Sequence, residues 1–331
     1  MIRADESVAP HFAAPEQLLD SDFVSERLSA SLGERRSVSA ARLVSHSPGK
    51  RTVIAYQTRG LEGKGSELIG KAYADPAKAE RTHATLARLH AQATGAWTVA
   101  EPVALIGELG MSVQTQVSGR TIDQLHGAER ALALRSTGHW LAKLHVLDLA
   151  FERRVNPDSE LRKIGEWESL VAAGDPGRAT DASALAAALR ARGAALRTVR
   201  VAPIHKDFHY QHVLVEGSRV AVVDVDEVRG GEPAFDVGHF CAYLRLLAMR
   251  EAREGTEASQ REEDAFLDGY TSASEPAAVG DEQCRFFAAY ACLKIGKQLL
   301  RGKGPSPAPD EAQRAAQLVF VLDEGLRCLR A

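Results

Sequence analysis

The spacing of hydrophobic and polar positions changes character along this chain. Between Ala41 and Tyr56 two apolar, β-rich runs flank Pro48-Gly49, which predicts strand, turn and strand. Glu67–Tyr73 reads as a further strand, and Val99–Ile106 with Ser112–Val117 completes an antiparallel sheet. Set into that β pattern, Pro76–Leu89 has helical spacing with proline near its start. Beyond residue 128 the helical period takes over: Ala128–Leu149, Asp158–Ala172, Asp181–Leu196, Asp236–Arg250, Arg261–Tyr270, Asp281–Leu300 and Asp310–Leu329. One interruption stands out: between 204 and 223 two apolar runs are parted by Glu216-Gly217-Ser218 and read as a β-hairpin. A polar leader over 1–38 carries a short helix, Pro15–Leu28, and Gly60–Gly65 forms a glycine-rich tip. The pattern predicts an α+β protein of two lobes. A small antiparallel-sheet lobe spans 39–116 and a larger, mainly helical lobe spans 117–331.

Composition narrows the possible partners. The chain has 331 residues, 45% of them apolar and 26% charged, with a net charge of −3. That balance suits a globular protein with a sizeable core and gives no basic surface for nucleic acid. Cys241, Cys284, Cys292 and Cys328 show no metal-ligand spacing and read as buried free thiols. No stretch is apolar for long enough to cross a membrane, and the amino terminus lacks the pattern of a signal peptide, so the expected location is the cytoplasm.

Most of the candidate chemistry lies in 201–244. Ile204-His205-Lys206-Asp207-Phe208-His209-Tyr210-Gln211-His212 places an acid and several imidazoles in an irregular segment ahead of the hairpin, where a loop can hold a carboxylate at the mouth of a cleft. The second strand runs into Val223-Asp224-Val225-Asp226-Glu227, so one acid precedes the hairpin and others follow it. Such acids could cap turns or pair with nearby Arg and Lys. The order of parts nevertheless resembles the aminoglycoside phosphotransferase and choline kinase group, with its protein-kinase-like fold. That group carries His-x-Asp, four residues, Asn, an apolar hairpin, an Asp-x-Glu type step and Gly-Asp-Pro-x-x-Asp. Here the corresponding residues are His205-Lys206-Asp207, His212, Asp224-Val225-Asp226 and Gly231-Glu232-Pro233-Ala234-Phe235-Asp236.

The resemblance implies an ATP-dependent phosphotransferase acting on a hydroxyl, with a small molecule as acceptor and a peptide Ser or Thr as the second acceptor class. It gives Asp207 the role of base, Asp224 that of Mg²⁺ ligand, and Asp236 that of a brace for the loop. By analogy Lys71 would hold ATP phosphates, steadied by Glu80, and Gln114-Thr115-Gln116-Val117 would be the inter-lobe hinge whose main chain meets adenine. His145 corresponds to a packed, structural histidine. Two departures matter. His212 stands where the group has a metal-binding Asn, although Mg²⁺ prefers oxygen, and Asp226 could make up part of that loss. Lys206 replaces a frequent glycine and is expected to point to solvent. The Pro48-Gly49-Lys50-Arg51 turn could cradle phosphate or be a plain hairpin. His212 and the missing glycine-rich loop keep open a non-catalytic protein that binds nucleotide or a partner. A metalloprotein built on His205, His209 and His212 is a further alternative.

Overall fold

The structure, a computed structural model, describes residues 13–60, 65–95, 97–151, 153–195, 200–273, 279–302, 304 and 310–330. Residues 1–12 of the expected leader and 61–64 of the glycine-rich tip lie outside the described residues. The chain divides into two units, Met1–Ser118 with Ala221–Asp226, and Gly119–Val220 with Glu227–Ala331. Asp224 and Asp226 therefore belong to the first unit, although the chain reaches them from the second.

In the first unit the expected amino-terminal helix is two, α1 (Pro15–Leu19) and α2 (Ser21–Leu32). Asp20 is extended and accepts hydrogen bonds from the N–H groups of Asp22 and Phe23, both at 3.0 Å, so it caps a new helix and ends the old one. The sheet is antiparallel with strand order β1-β2-β3-β6-β5, from β1 (Ser37–Ser47), β2 (Arg51–Arg59), β3 (Gly65–Tyr73), β5 (Pro102–Ile106) and β6 (Met111–Thr115). The run expected as one strand over 99–106 is split, with β4 (Trp97–Val99) ending before Pro102. Leu18, Val24 and Leu28 pack with Ile54, Tyr56, Leu68 and Met111, which makes residues 13–38 part of this core. Helix α3 (Pro76–His90) starts with Asp75 as cap and buries Ala79, Thr82, Leu86 and Leu89 along one face.

The second unit is helical: α4 (Gly127–Val146), α5 (Pro157–Gly174), α6 (Ala179–Ala195), α7 (Ala234–Arg250), α8 (Glu257–Ala273), α9 (Asp281–Leu300) and α10 (Glu311–Arg330). Two close crossings depend on glycine. A Cβ on Gly269 would lie 2.0 Å from the Arg135 carbonyl oxygen between α8 and α4, and one on Gly238 would lie 2.3 Å from that of Cys284 between α7 and α9. Short strands frame the loop of interest. β8 (Ala202–Ile204) pairs antiparallel with β11 (Arg229–Gly231), and β7 (Arg120–Thr121) with β9 (Val213–Glu216). β10 (Arg219–Val222) then carries the chain out of this unit. The four cysteines are free thiols, three of them buried and Cys284 half-buried. Among the described residues no helix is long and apolar enough to cross a membrane.

Candidate active site

The first unit gathers a compact charge cluster on one face of its sheet. Lys71 and Tyr73 are two apart on β3 and so share a face, and the register sets Arg51 of β2 opposite Tyr73. Into this face come the acids of 221–226. Lys71 Nζ lies 2.8 Å from Asp224 Oδ1 and 2.8 Å from Asp226 Oδ1. Arg51 Nη1 donates to Asp224 Oδ1 at 3.0 Å and to Asp226 Oδ2 at 2.5 Å. The Tyr73 hydroxyl donates to Asp226 Oδ2 at 2.5 Å. The side chains of Lys71 and Asp226 are 7% and 3% exposed, whereas that of Asp224 is 27% exposed. Burial works against the Lys71 charge, but Asp226 and Asp224 outweigh it and hold the ammonium protonated beyond its usual range. Burial and then Asp226 push the Tyr73 phenol up, which keeps it a donor.

This arrangement bears on two expectations. Glu80 does not brace Lys71: it is exposed on α3, turned away from the face that buries Ala79 and Thr82, and Lys71 takes Asp224 and Asp226 as counter-ions instead. Asp226, expected as a metal residue, has oxygens that accept from Lys71, Arg51 and Tyr73 in a buried position. Asp224 is the more exposed of the two acids, and its carboxylate fits Mg²⁺, which is commonly held by one or two carboxylates, waters and phosphates. It occupies the left-handed region with φ 60°, a conformation that costs a non-glycine residue energy and is often kept at functional positions. The Pro48-Gly49 turn is a hairpin closed by Lys50 N–H to Ser47 O at 3.0 Å, and its Arg51 is committed to the acids. In the expected hinge, Gln114 pairs with Ile69 within the sheet, and the N–H groups of Thr115 and Gln116 donate to Glu101 O and Glu67 O, each at 2.9 Å. Val117 is half-buried next to the end of the unit at Ser118.

The second unit holds the loop that carries Asp207. Phe208 anchors it, fully buried between Trp140 and Phe240 with ring centroids 6.0 and 5.0 Å away. From α7, Asp236 accepts the main-chain N–H of His205 at 2.5 Å and of Lys206 at 2.9 Å. It also accepts from His145 Nε2 at 3.3 Å, and His145 Nδ1 in turn accepts the Tyr270 hydroxyl at 2.8 Å. His145 is thus the packed, structural residue expected, and Asp236 the expected brace. The braced loop presents an Asp207 side chain that is 34% exposed, with Lys294 Nζ of α9 2.6 Å from its Oδ1. His239 donates through Nδ1 to the Phe208 carbonyl at 2.9 Å, so its Nε2 accepts from Lys294, 3.0 Å away. Burial and the Lys294 charge lower His239 to about 3, which leaves it neutral. For Asp207, burial opposes ionisation, but the Lys294 charge holds the carboxyl well below its usual range.

The predicted metal residue His212 lies in this second cluster. Its Nδ1 donates to the Asp207 carbonyl at 2.9 Å and its ring is 3.7 Å from that of His209. One donor atom each from Asp207, His209 and His212 lie within 4.8 Å of one another. Lys206 also departs from expectation. It is not solvated but 11% exposed, with φ 74°, its Nζ 3.0 Å from Glu160 Oε2 and 3.7 Å above the Phe235 ring. Burial lowers Lys206 to about 8 and opposes the Glu160 charge, but Lys206, Lys163 and Tyr290 hold Glu160 at about 2, so both are charged at pH 7. Sequence reasoning missed Tyr73, His239 and Lys294, and at Arg51 it missed the pairing with the acids. A signal for Lys294 was present, since a lysine within a helix buried nearly all round needs a counter-ion.

Comparison with known proteins gives these clusters a context. The model of the phosphotransferase enzyme family matches residues 56–287. No curated protein matches the chain. Among solved structures, aminoglycoside phosphotransferase APH(4)-Ia is similar with 14% identity and a TM-score of 0.60, over 93% of this chain and 97% of that one. The amicoumacin kinase hAmiN, solved with AMP-PNP, Ca²⁺ and Ami, gives 14% identity and a TM-score of 0.59 over 86% of this chain and 87% of that one. ADP-bound aminoglycoside phosphotransferase APH(2'')-Ib gives 11% and 0.56 over 94% and 99%. Identities this low speak for the fold, which is the two-part, kinase-like arrangement of a sheet-based and a helical unit. The family match covers well over half of the chain and takes in Lys71, Asp207, Asp224 and Asp236; the chain belongs to the phosphotransferase enzyme family.

Proposed function

We propose that this protein transfers the γ-phosphoryl group of ATP to a hydroxyl of a small molecule, with an antibiotic or metabolite as the acceptor class. The observation that carries the reading is Asp207, an ionised carboxylate one-third exposed on a loop fixed by Asp236 and Phe208. A base must accept a proton at a fixed point, and here burial of the loop and its main-chain bonds hold that point. As the acceptor oxygen forms its bond to phosphorus and the bond to ADP breaks, the hydroxyl proton passes to Asp207. Asp224 would hold Mg²⁺, which supplies charge neutralisation at the phosphates. Lys71 would bring further positive charge to the triphosphate. Main-chain groups of Gln114–Val117 would meet the base of the nucleotide. The proposed setting is the cytoplasm, where ATP is supplied and where free thiols such as Cys241 and Cys292 remain reduced.

Support comes from the family match and from relatives of the same fold that were solved with AMP-PNP, ADP or hygromycin B. The test is mass spectrometry of aminoglycosides, other hydroxyl-bearing small molecules and Ser/Thr peptides after incubation with ATP and Mg²⁺. A small molecule should gain a phosphoryl group. Asp207→Asn should lower turnover by about 10²–10⁴ while sparing nucleotide affinity; unchanged turnover removes Asp207 from its role.

A further inference from the structure

We propose that Asp207, His209 and His212 form a binding site for a borderline-soft divalent transition-metal ion of the Zn²⁺ class, and that its occupation switches off phosphoryl transfer by tying up the base. The donor set differs in chemistry from the lone carboxylate of Asp224. Two imidazoles and one carboxylate make a donor set suited to Zn²⁺, Co²⁺ or Ni²⁺ and poor for Mg²⁺ or Ca²⁺.

The geometry supports such an ion in several ways. The three donor atoms lie within 4.8 Å of one another. A tetrahedral ion with bonds of about 2.0–2.1 Å would hold them about 3.4 Å apart, so the closure needed is at most about 1.4 Å. His212 is already oriented as a ligand, because its Nδ1–H is spent on the Asp207 carbonyl at 2.9 Å, which places the lone pair on Nε2. That is the backbone-carbonyl support typical of a metal-bound histidine. His209 accepts the Gln211 N–H at Nδ1, 3.3 Å away, so an ion binding this ring displaces either that bond or the proton on Nε2. The loop is short and anchored at Phe208 and Asp236, so the donors are held in place before any ion arrives. Against the ion stands Lys294, whose ammonium already occupies Asp207 Oδ1 at 2.6 Å. Metal and ammonium compete for one carboxylate, which is a testable property of this site.

The metal site itself does not depend on the phosphotransferase reading; only the inhibition does. The full-length chain, freed of metal by chelation, is titrated with Co²⁺ and followed by visible absorption, then back-titrated with Zn²⁺. The expected result is one equivalent of Co²⁺ with the intense bands of low-coordinate geometry, displaced by Zn²⁺. His209→Gln and His212→Gln should each weaken binding at least tenfold, and Lys294→Met should tighten it, with circular dichroism and thermal midpoints confirming that the variants fold. Absent Co²⁺ bands, binding unaltered by both histidine variants, or a sulfur-to-cobalt charge-transfer band that assigns the ion to cysteine would each overturn the site. In a separate arm, Zn²⁺ at concentrations that fill the site should abolish acceptor phosphorylation. A fully metallated enzyme with unchanged turnover would overturn the inhibitory role while leaving the site in place.

Discussion

Removing Asp226 should cost the first unit far more than removing Asp224, although both touch Lys71. Each carboxylate lies 2.8 Å from Lys71 Nζ. At an effective dielectric of about 20 that distance corresponds to roughly 6 kcal/mol of gross attraction per pair, much of it offset by desolvation. The two differ in what is left behind. In Asp226→Ala a buried ammonium and the Tyr73 hydroxyl lose an acceptor that is only 3% exposed, and breaking a buried pair in this way costs about 3–5 kcal/mol. In Asp224→Ala Lys71 keeps Asp226, and the lost group was part-solvated, so the cost should be about 1 kcal/mol. Hydrogen exchange of peptides covering 51–59 and 65–73 reads the opening free energy of β2 and β3 directly, without assuming that both units unfold together. Equal losses for the two variants, or less than about 1 kcal/mol for Asp226→Ala, would refute the assignment of Asp226 as structural counter-ion and Asp224 as the available ligand.

Lys294→Met should move the acid limb of the rate profile. With the ammonium 2.6 Å from Asp207 gone, the carboxyl pKa rises, and the acid limb of kcat/KM should shift to higher pH; an unmoved limb would show that Lys294 does not tune the base. Glu160 gives an acid-stability prediction. Its folded-state carboxyl sits at about 2 against 4.5 for the free group, so its contribution is complete above about pH 4.5 and is lost as pH falls toward 2, where unfolding takes up a proton. The difference corresponds to something on the order of 3 kcal/mol, and Glu160→Gln should flatten this part of the urea-midpoint curve; a variant that tracks the wild type would refute it.

Local spacing carried much of this fold. The turn at Pro48-Gly49, the helix opened by Pro76, the Asp207 loop and the acids after the hairpin were legible because their signals lie within a few residues of one another. Partners far apart in sequence were not. The Lys71–Asp226 pair spans 155 positions and Lys294–Asp207 spans 87, and nothing local says which cation meets which acid. Glu80 was assigned to Lys71 by analogy, whereas the apolar face of α3 turns it outward. Lys206 looked like a solvated side chain because a lysine usually is; its burial rests on Glu160 and Phe235, contributed by other helices. The break at Asp20 could have been read from its side chain, a preferred N-cap ahead of a helical run.

Whether the Asp224 position is a working Mg²⁺-dependent nucleotide site is decided by calorimetry of ATP binding with and without Mg²⁺, on the wild type and on Asp224→Ala. Binding should strengthen with Mg²⁺ in the wild type and lose that dependence in the variant. ATP that binds equally well without metal, or does not bind at all, would contradict the proposed transfer and mark a family member that no longer performs it.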